Sequence, residues 1–247
     1  MQRPHYLAFG LAGYLASLLS MLYFGGFLAN LLVPKGIDSG LSPAAGFPGR
    51  ALTVDLALLL AFAVVHSLLA RRAVKVRLAA IFPPELERSL YSLVAGLQMG
   101  LICWVWQPLP MPVWDLPASW AALRAALWVL QAAGWGIVVV ALTTIDSTHL
   151  FGLRQSLSAA RGVPYVAPPF EIRGIYRHVR HPVYTGSLLA IWSTPTMSQG
   201  RLLLVGVLTI YLFVGLAFEE RDLERAFGDA YREHRRRVPS LLPRLLK

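Results

Sequence analysis

Five or six long apolar runs, separated by short basic loops, decide what this chain can fold into. They are roughly Tyr6–Leu32, Ala51–Ala70, Ser89–Trp106, Ala121–Ile145, and a pair, Val183–Thr194 and Arg201–Phe218. A helix rises about 1.5 Å per residue, so a hydrocarbon core ~30 Å thick needs about 20 residues. The first four runs meet that length, the third only just. Backbone in hydrocarbon has no water to bond, so each run must satisfy itself as a helix. Pro195 and Gly200 break the last pair into a helix–turn–helix hairpin whose first arm is short. The expected fold is all-α: a polytopic membrane bundle of four spans plus a C-terminal hairpin, five to six membrane helices in all. Only 15% of the residues are charged, where a soluble domain would carry about a quarter.

Charge sets the expected orientation. Arg71, Arg72, Lys75, Arg77 and Arg88 follow the second run. Arg154, Arg161, Arg173, Arg177 and Arg180 precede the hairpin, and Arg232, Arg235, Arg236 and Arg237 follow it. The alternate loops, Pro34–Arg50 and Gln107–Trp120, hold only Lys35 and Arg50. The positive-inside rule then puts both termini in the cytoplasm of a bacterial cell. The net charge of +10 is explained by topology and by anionic lipid heads at the bilayer, so nucleic acid is not an expected partner. The first run is too long for a signal-peptide core and is read as a retained helix. One cysteine, Cys103, excludes an internal disulfide, and no metal-ligand pattern stands out. A single domain over 1–247 is expected, with 146–182 as a loop leading into the hairpin and 219–247 as a basic tail.

Function concentrates at the hairpin's two feet. Arg180-His181-Pro182-Val183-Tyr184-Thr185-Gly186 enters it, and Glu219-Glu220 leaves it. Antiparallel arms return both feet to one membrane face. Pro182 suits a first helical turn and leaves the positive dipole end of the arm near His181 and Tyr184, a place for a carboxylate. Carboxylates at the C-terminal end of the second arm are unfavourable with the dipole, and a cationic or hydroxyl-bearing ligand would account for them. The two feet together fit a small polar ligand carrying both charge signs.

The R-H-P-x-Y-x-G motif with a late Glu-Glu pair resembles the isoprenylcysteine carboxyl methyltransferase and phospholipid methyltransferase superfamily of integral membrane enzymes. The resemblance implies S-adenosyl-L-methionine as cofactor, with Arg180, His181, Pro182, Tyr184, Gly186, Glu219 and Glu220 as its site. His181 and Tyr184 would hold the methionine or ribose portion, and the glutamates the amine or ribose hydroxyls. Val33–Gly40, His66-Ser67, Glu87–Tyr91, Leu150–Gln155 and Tyr231–Pro239 are similar to the methanethiol S-methyltransferase branch, which makes dimethyl sulfide from methanethiol. The lead-in Thr143–His149 departs from that branch, so Asp146 and His149 receive no role. NnrU-like proteins are related.

Polar residues inside a membrane are costly and often functional. On the thiol side the candidates are therefore His66 as a base or substrate-orienting group, with Arg88 and Arg154 offsetting a thiolate. Asp55 is expected at the outer interface and Cys103 in the core. Two rivals stay open: methylation of a prenylcysteine carboxylate or lipid amine, and a non-catalytic NnrU-like membrane subunit.

Overall fold

The structure, a computed structural model, describes residues 3–39, 48–169 and 171–243. Gly40, the end of one motif above, and residues 244–247 of the basic tail lie outside them. Among the described residues, five helical stretches are long and apolar enough to cross a membrane: Pro4–Ala29, Gly49–Ala70, Pro84–Val105, Ala121–Thr144 and Gln199–Arg237. These correspond to helices α1 (Pro4–Ala29), α2 (Pro48–Ala70), α4 (Glu87–Val105, after a 3-10 turn at Pro84–Leu86), α5 (Ala121–Thr144) and α9 (Gln199–Arg237). Four shorter helices complete the set: α3 (Arg72–Leu78), α6 (Ser147–Leu150), α7 (Leu153–Ala160) and α8 (Pro182–Trp192). The protein is a polytopic helical membrane protein. Large apolar side chains such as Leu19, Leu22, Trp104, Val129 and Ile210 stand exposed on these helices, a surface that water would penalise and lipid accepts.

Two elements depart from the sequence reading. Strands β1 (Pro112–Asp115) and β2 (Thr196–Ser198) pair in a small two-stranded sheet, where only loop and turn were expected. Pro195 ends the preceding helical run, and its carbonyl takes the Leu116 amide at 3.0 Å. More consequentially, the second arm does not end at Glu219-Glu220. The helical run α9 continues past them to Arg237, broken once at Gly228, so the glutamates lie about two turns before that break and face no unfavourable C-terminal dipole. Polar residues can extend an apolar helix into water, because the i to i−4 ladder needs no apolar side chains.

The chain forms two compact units. The first comprises Met1–Met111, Asp146–Ala167 and Ser198–Arg201; the second comprises Pro112–Ile145, Pro168–Met197 and Leu202–Lys247. In the first unit, α1 packs on α4 and α7, and α2 packs on α4. Hydroxyls bridge these helices: Ser17 Oγ donates to the Ser92 carbonyl at 3.0 Å, and the Ser89 and Ser156 hydroxyls meet at 2.8 Å. Such bonds add adhesion where lipid removes the hydrophobic drive between helices. Asp55, expected at an interface, is fully buried and accepts the Gln107 amide at 2.8 Å. Lys35 caps the end of α4 by donating to the Trp104 and Trp106 carbonyls at 2.5 and 2.7 Å.

In the second unit, α5 packs on α8. The approach is so close that a Cβ on Gly186 would sit 2.6 Å from the Gly134 carbonyl oxygen. Gly186, read from sequence as part of the cofactor motif, thus has a packing duty of its own. Gln131 Nε2 seals the contact by donating to the Ala190 carbonyl at 3.2 Å.

Candidate functional site

The second unit gathers the hairpin-foot residues around one carboxylate. His181 is the N-cap of α8 and Pro182 its first residue. Glu220 Oε1 lies 2.7 Å from His181 Nε2 and 2.8 Å from Arg180 Nη2, with Arg180 Nε at 3.0 Å. Tyr231 donates its hydroxyl to the same oxygen at 3.1 Å, and Arg235 Nε approaches Oε2 at 3.4 Å. A carboxylate only accepts, so His181 carries its proton on Nε2. His181 Nδ1 faces Glu219 Oε2 at 3.8 Å. Tyr184 stands edge-on to the His181 ring, with centroids 5.6 Å apart. Tyr176 is held neutral: burial raises its pKa, and the negative charge of Glu219 adds to the rise.

The tail completes this arrangement by doubling back. Gly228, at φ 54° and ψ −126°, interrupts the helical geometry of α9, a backbone state open to glycine and strained for other residues. Beyond it, the Pro239 and Ser240 carbonyls take the Arg180 and His181 amides at 2.9 and 3.1 Å. Arg180 Nη1 donates to the Arg235 and Val238 carbonyls, both at 2.9 Å. Thr185 donates its hydroxyl to the Leu241 carbonyl at 2.7 Å. Beside this network opens a cavity of about 420 Å³, within the usual range for small-molecule sites. Phe213, Leu216 and Ala217 give it an apolar wall; Arg180, Glu220, Arg221, Arg235 and Ser240 give it a polar one.

In the first unit a separate polar cluster surrounds His149. Asp146, at φ 68°, caps α6 by accepting the Thr148 and His149 amides at 3.0 and 3.4 Å. Its other oxygen pairs with Arg154 Nε at 2.9 Å. Burial, and then the Arg88 charge, lower the His149 pKa, with Asp146 opposing and Arg154 reinforcing. His149 Nδ1 is hydrogen-bonded to the Tyr165 hydroxyl, and Gln155 Nε2 lies 3.3 Å from the same nitrogen. The segment holding Gln155 is pressed against α4: a Cβ on Gly152 would lie 2.5 Å from the Ser89 amide nitrogen. Elsewhere in this unit, His66 Nε2 bonds the Tyr91 hydroxyl at 2.5 Å and stacks on Phe62 at 5.1 Å.

Comparison with known proteins gives the family. The NnrU protein family matches residues 56–243. Methanethiol S-methyltransferase of Mycobacterium tuberculosis is 41% identical over 98% of this chain and 98% of its own length. Methanethiol S-methyltransferase 2 of Bradyrhizobium diazoefficiens is 42% identical over 97% of this chain and 90% of its own. The chain belongs to this family. It is therefore a methyltransferase, as these full-length relatives are named. Nurim of Sus scrofa, 34% identical over 70% of this chain and 68% of its own, is a more distant relative. No solved structure matches.

All seven residues expected to form the methyl-donor site of a methanethiol S-methyltransferase fall in the second unit. Arg180, His181, Glu219 and Glu220 make direct contacts there; Tyr184 abuts His181, Pro182 starts α8, and Gly186 serves helix packing. His66, Arg88 and Arg154 all fall in the first unit. Arg88 and Arg154 share the electrostatic surroundings of His149, whereas His66 engages Tyr91 and Phe62. The sequence reading missed Tyr231 and Arg235 as partners of Glu220, and Tyr165 as partner of His149. Gly228, eight residues after Glu220, was the available signal that the tail turns back.

Proposed function

We propose that this methyltransferase moves a methyl group from S-adenosyl-L-methionine to a small thiol, turning methanethiol into dimethyl sulfide, at the cytoplasmic face of a bacterial cell membrane. The observation that carries the reading is the Glu220 centre, where two arginines, a histidine and a tyrosine converge on one carboxylate beside a cavity of about 420 Å³. A zwitterionic sulfonium needs both signs of charge, and that cavity offers Arg180, Arg221 and Arg235 for a carboxylate and Glu220 for an amine or ribose hydroxyls. The apolar wall of Phe213, Leu216 and Ala217 suits the remainder of the molecule. The residues present therefore fit the cofactor. When bound, it supplies an activated methyl group on a positively charged sulfur.

The protein's share of such a displacement is positioning and exclusion of water. Arg180 and His181 hold Glu220 in place, and Tyr184 packs against His181. On the thiol side we assign Arg88 and Arg154 as cationic neighbours that favour a thiolate, which attacks far better than a thiol, and His66 as a group that orients the substrate. Methanethiol and dimethyl sulfide are small and apolar enough to pass through the bilayer, while the charged cofactor enters from water. The basic loops after the second run, before the hairpin and after it support a cytoplasmic entry.

The test is direct. Membranes bearing the protein, given S-adenosyl-L-methionine and methanethiol, should release dimethyl sulfide into the headspace. Cofactor binding without product from any small thiol would overturn the substrate assignment.

A further inference from the structure

The His149 cluster holds a charge pattern that the methyl-donor site does not use. Arg88 is half-buried and carries neither an ion pair nor a hydrogen bond among the described residues, yet its charge is felt by both His149 and Tyr165. Burying part of a cation without a partner is costly, so a counter-charge has a natural place beside it. Gln155 is about nine-tenths buried, and its Oε1 has no hydrogen-bond partner. That leaves a buried, unanswered acceptor on the residue that bonds His149, and a ligand bearing a weak donor such as S–H would complete it.

The hydrogen bonds fix the proton positions. Gln155 Nε2 has only hydrogens to offer; it donates to the His149 carbonyl at 3.1 Å and lies 3.3 Å from Nδ1. His149 Nδ1 therefore presents its lone pair, and the ring proton sits on Nε2. The Tyr165 hydroxyl in turn donates to Nδ1, which leaves the phenol oxygen free to accept a proton from a third group. Both side chains are half-buried, so a small molecule can reach them.

We propose that Tyr165 and His149 form the proton path for the thiol substrate, with Arg88 holding the resulting thiolate. The inference rests on the thiol reading above and deepens it. As the thiol S–H bond breaks, its proton passes to the Tyr165 oxygen and the phenolic proton passes to His149 Nδ1. Tyr165 stays neutral and His149 becomes imidazolium. The thiolate electron pair forms the new S–CH₃ bond while the donor's own S–CH₃ bond breaks, its pair remaining on the donor sulfur. His149 then returns its proton to water. Four groups face the imidazole: Arg88 from α4, Arg154 from α7, Asp146 from the cap of α6, and Tyr165. Burial first, and then Arg88 and Arg154, disfavour the imidazolium and keep His149 neutral, hence ready to accept, at pH 7; Asp146 offsets them once the proton arrives.

A pH profile tests the path. In Tyr165→Phe and in His149→Gln, kcat/KM for methanethiol should fall about 100-fold at pH 7, the usual scale for a lost general base. The deficit should shrink to within about threefold of the parent above the thiol's own pKa, where free thiolate needs no base. Calorimetric binding of S-adenosyl-L-methionine, unchanged in both variants, reports that they are folded. A deficit that does not vary with pH, no deficit, or the pH-dependent deficit found in His66→Gln instead would overturn the proton path. A parent protein that methylates no thiol at any pH would overturn the substrate reading itself.

Discussion

The two polar centres of this protein are built on opposite principles. The Glu220 carboxylate is answered on both sides: one oxygen receives Arg180, His181 and Tyr231, and the other faces Arg235. Around His149 the charges are left over: Arg88 has no ion pair or hydrogen bond among the described residues, and Gln155 Oε1 has no donor. A saturated network resists rearrangement and fixes its members in space, as the binding of a large charged cofactor requires. An unsaturated cluster keeps free donors and acceptors for a molecule that arrives and leaves. The stabilities of the two centres should therefore respond very differently to mutation.

The largest effect is expected at Glu220. Replacing it with alanine leaves Arg180, His181, Tyr231 and Arg235 without their common acceptor, and breaking such a buried pair costs about 3–5 kcal/mol. Glu220→Ala should lose measurable thermal stability and weaken S-adenosyl-L-methionine binding by at least about 100-fold, equivalent to about 2.7 kcal/mol. Glu219→Ala makes the contrast, because its side chain is 43% exposed and its histidine contact is 3.8 Å. It should cost no more than about 1 kcal/mol of stability. Equal losses in the two variants, measured by thermal unfolding and calorimetry, would show that Glu220 is not the focus of the site.

How much of this could be read beforehand follows from the reach of each signal. Apolar runs dictate helices because the bilayer permits little else, so the four spans and the hairpin's first arm agree with the structure to within a few residues. The hairpin feet were legible because Pro182 and the break at Pro195 force antiparallel arms. The C-terminal course was not, since polar residues after Phe218 carry no membrane signal, yet α9 continues through them as helix to a break at Gly228 and resumes to Arg237. Tyr231 and Arg235 escaped for the same reason: one glycine, Gly228, redirects the tail, and a lone glycine in a helical pattern rarely announces a fold-back. Tyr165 lies in a Gly- and Pro-rich stretch where no periodicity places a side chain. Its pairing with His149 depends on tertiary structure alone.

Packing gives the next effect in size. Gly186→Val would press two methyl groups into the Gly134 backbone, where even a Cβ comes within 2.6 Å of the carbonyl oxygen. Overpacking of this kind costs about 1–3 kcal/mol. Because α8 begins at Pro182, any shift of that helix moves His181 against Glu220, so cofactor affinity should fall together with stability. Lower stability with unchanged affinity would show that the α5–α8 contact and the Glu220 centre are independent. Tyr231→Phe is gentler. It removes one of the donors to Glu220 Oε1 and should cost about 1 kcal/mol, with a fivefold loss of cofactor affinity at about that energy.

The smallest effect belongs to Asp146, and its pH dependence separates the two centres. Burial raises its pKa, but the Thr148 hydroxyl, the His149 and Thr148 amides and Arg154 outweigh that and hold it below the ordinary carboxylate value. A depressed folded-state pKa means that the contribution to stability is complete above the unfolded value of about 4 and is lost as pH falls through the folded value. Asp146→Ala removes an N-cap and should cost about 1 kcal/mol at pH 7. Asp146→Asn keeps an acceptor for the two amides and loses only a largely exposed ion pair with Arg154, 57% exposed, so it should cost less. Hydrogen exchange at the Thr148 and His149 amides would follow both variants. Protection of these amides in the parent, taken relative to free-peptide exchange at each pH, should fall below about pH 4 as Asp146 protonates, while that in Asp146→Asn, having no proton to gain there, should stay flat across the same range. An acid response surviving in Asp146→Asn would mean that the cap of α6 is held by something other than this carboxylate, and the reserve of negative charge beside His149 would have to be sought elsewhere.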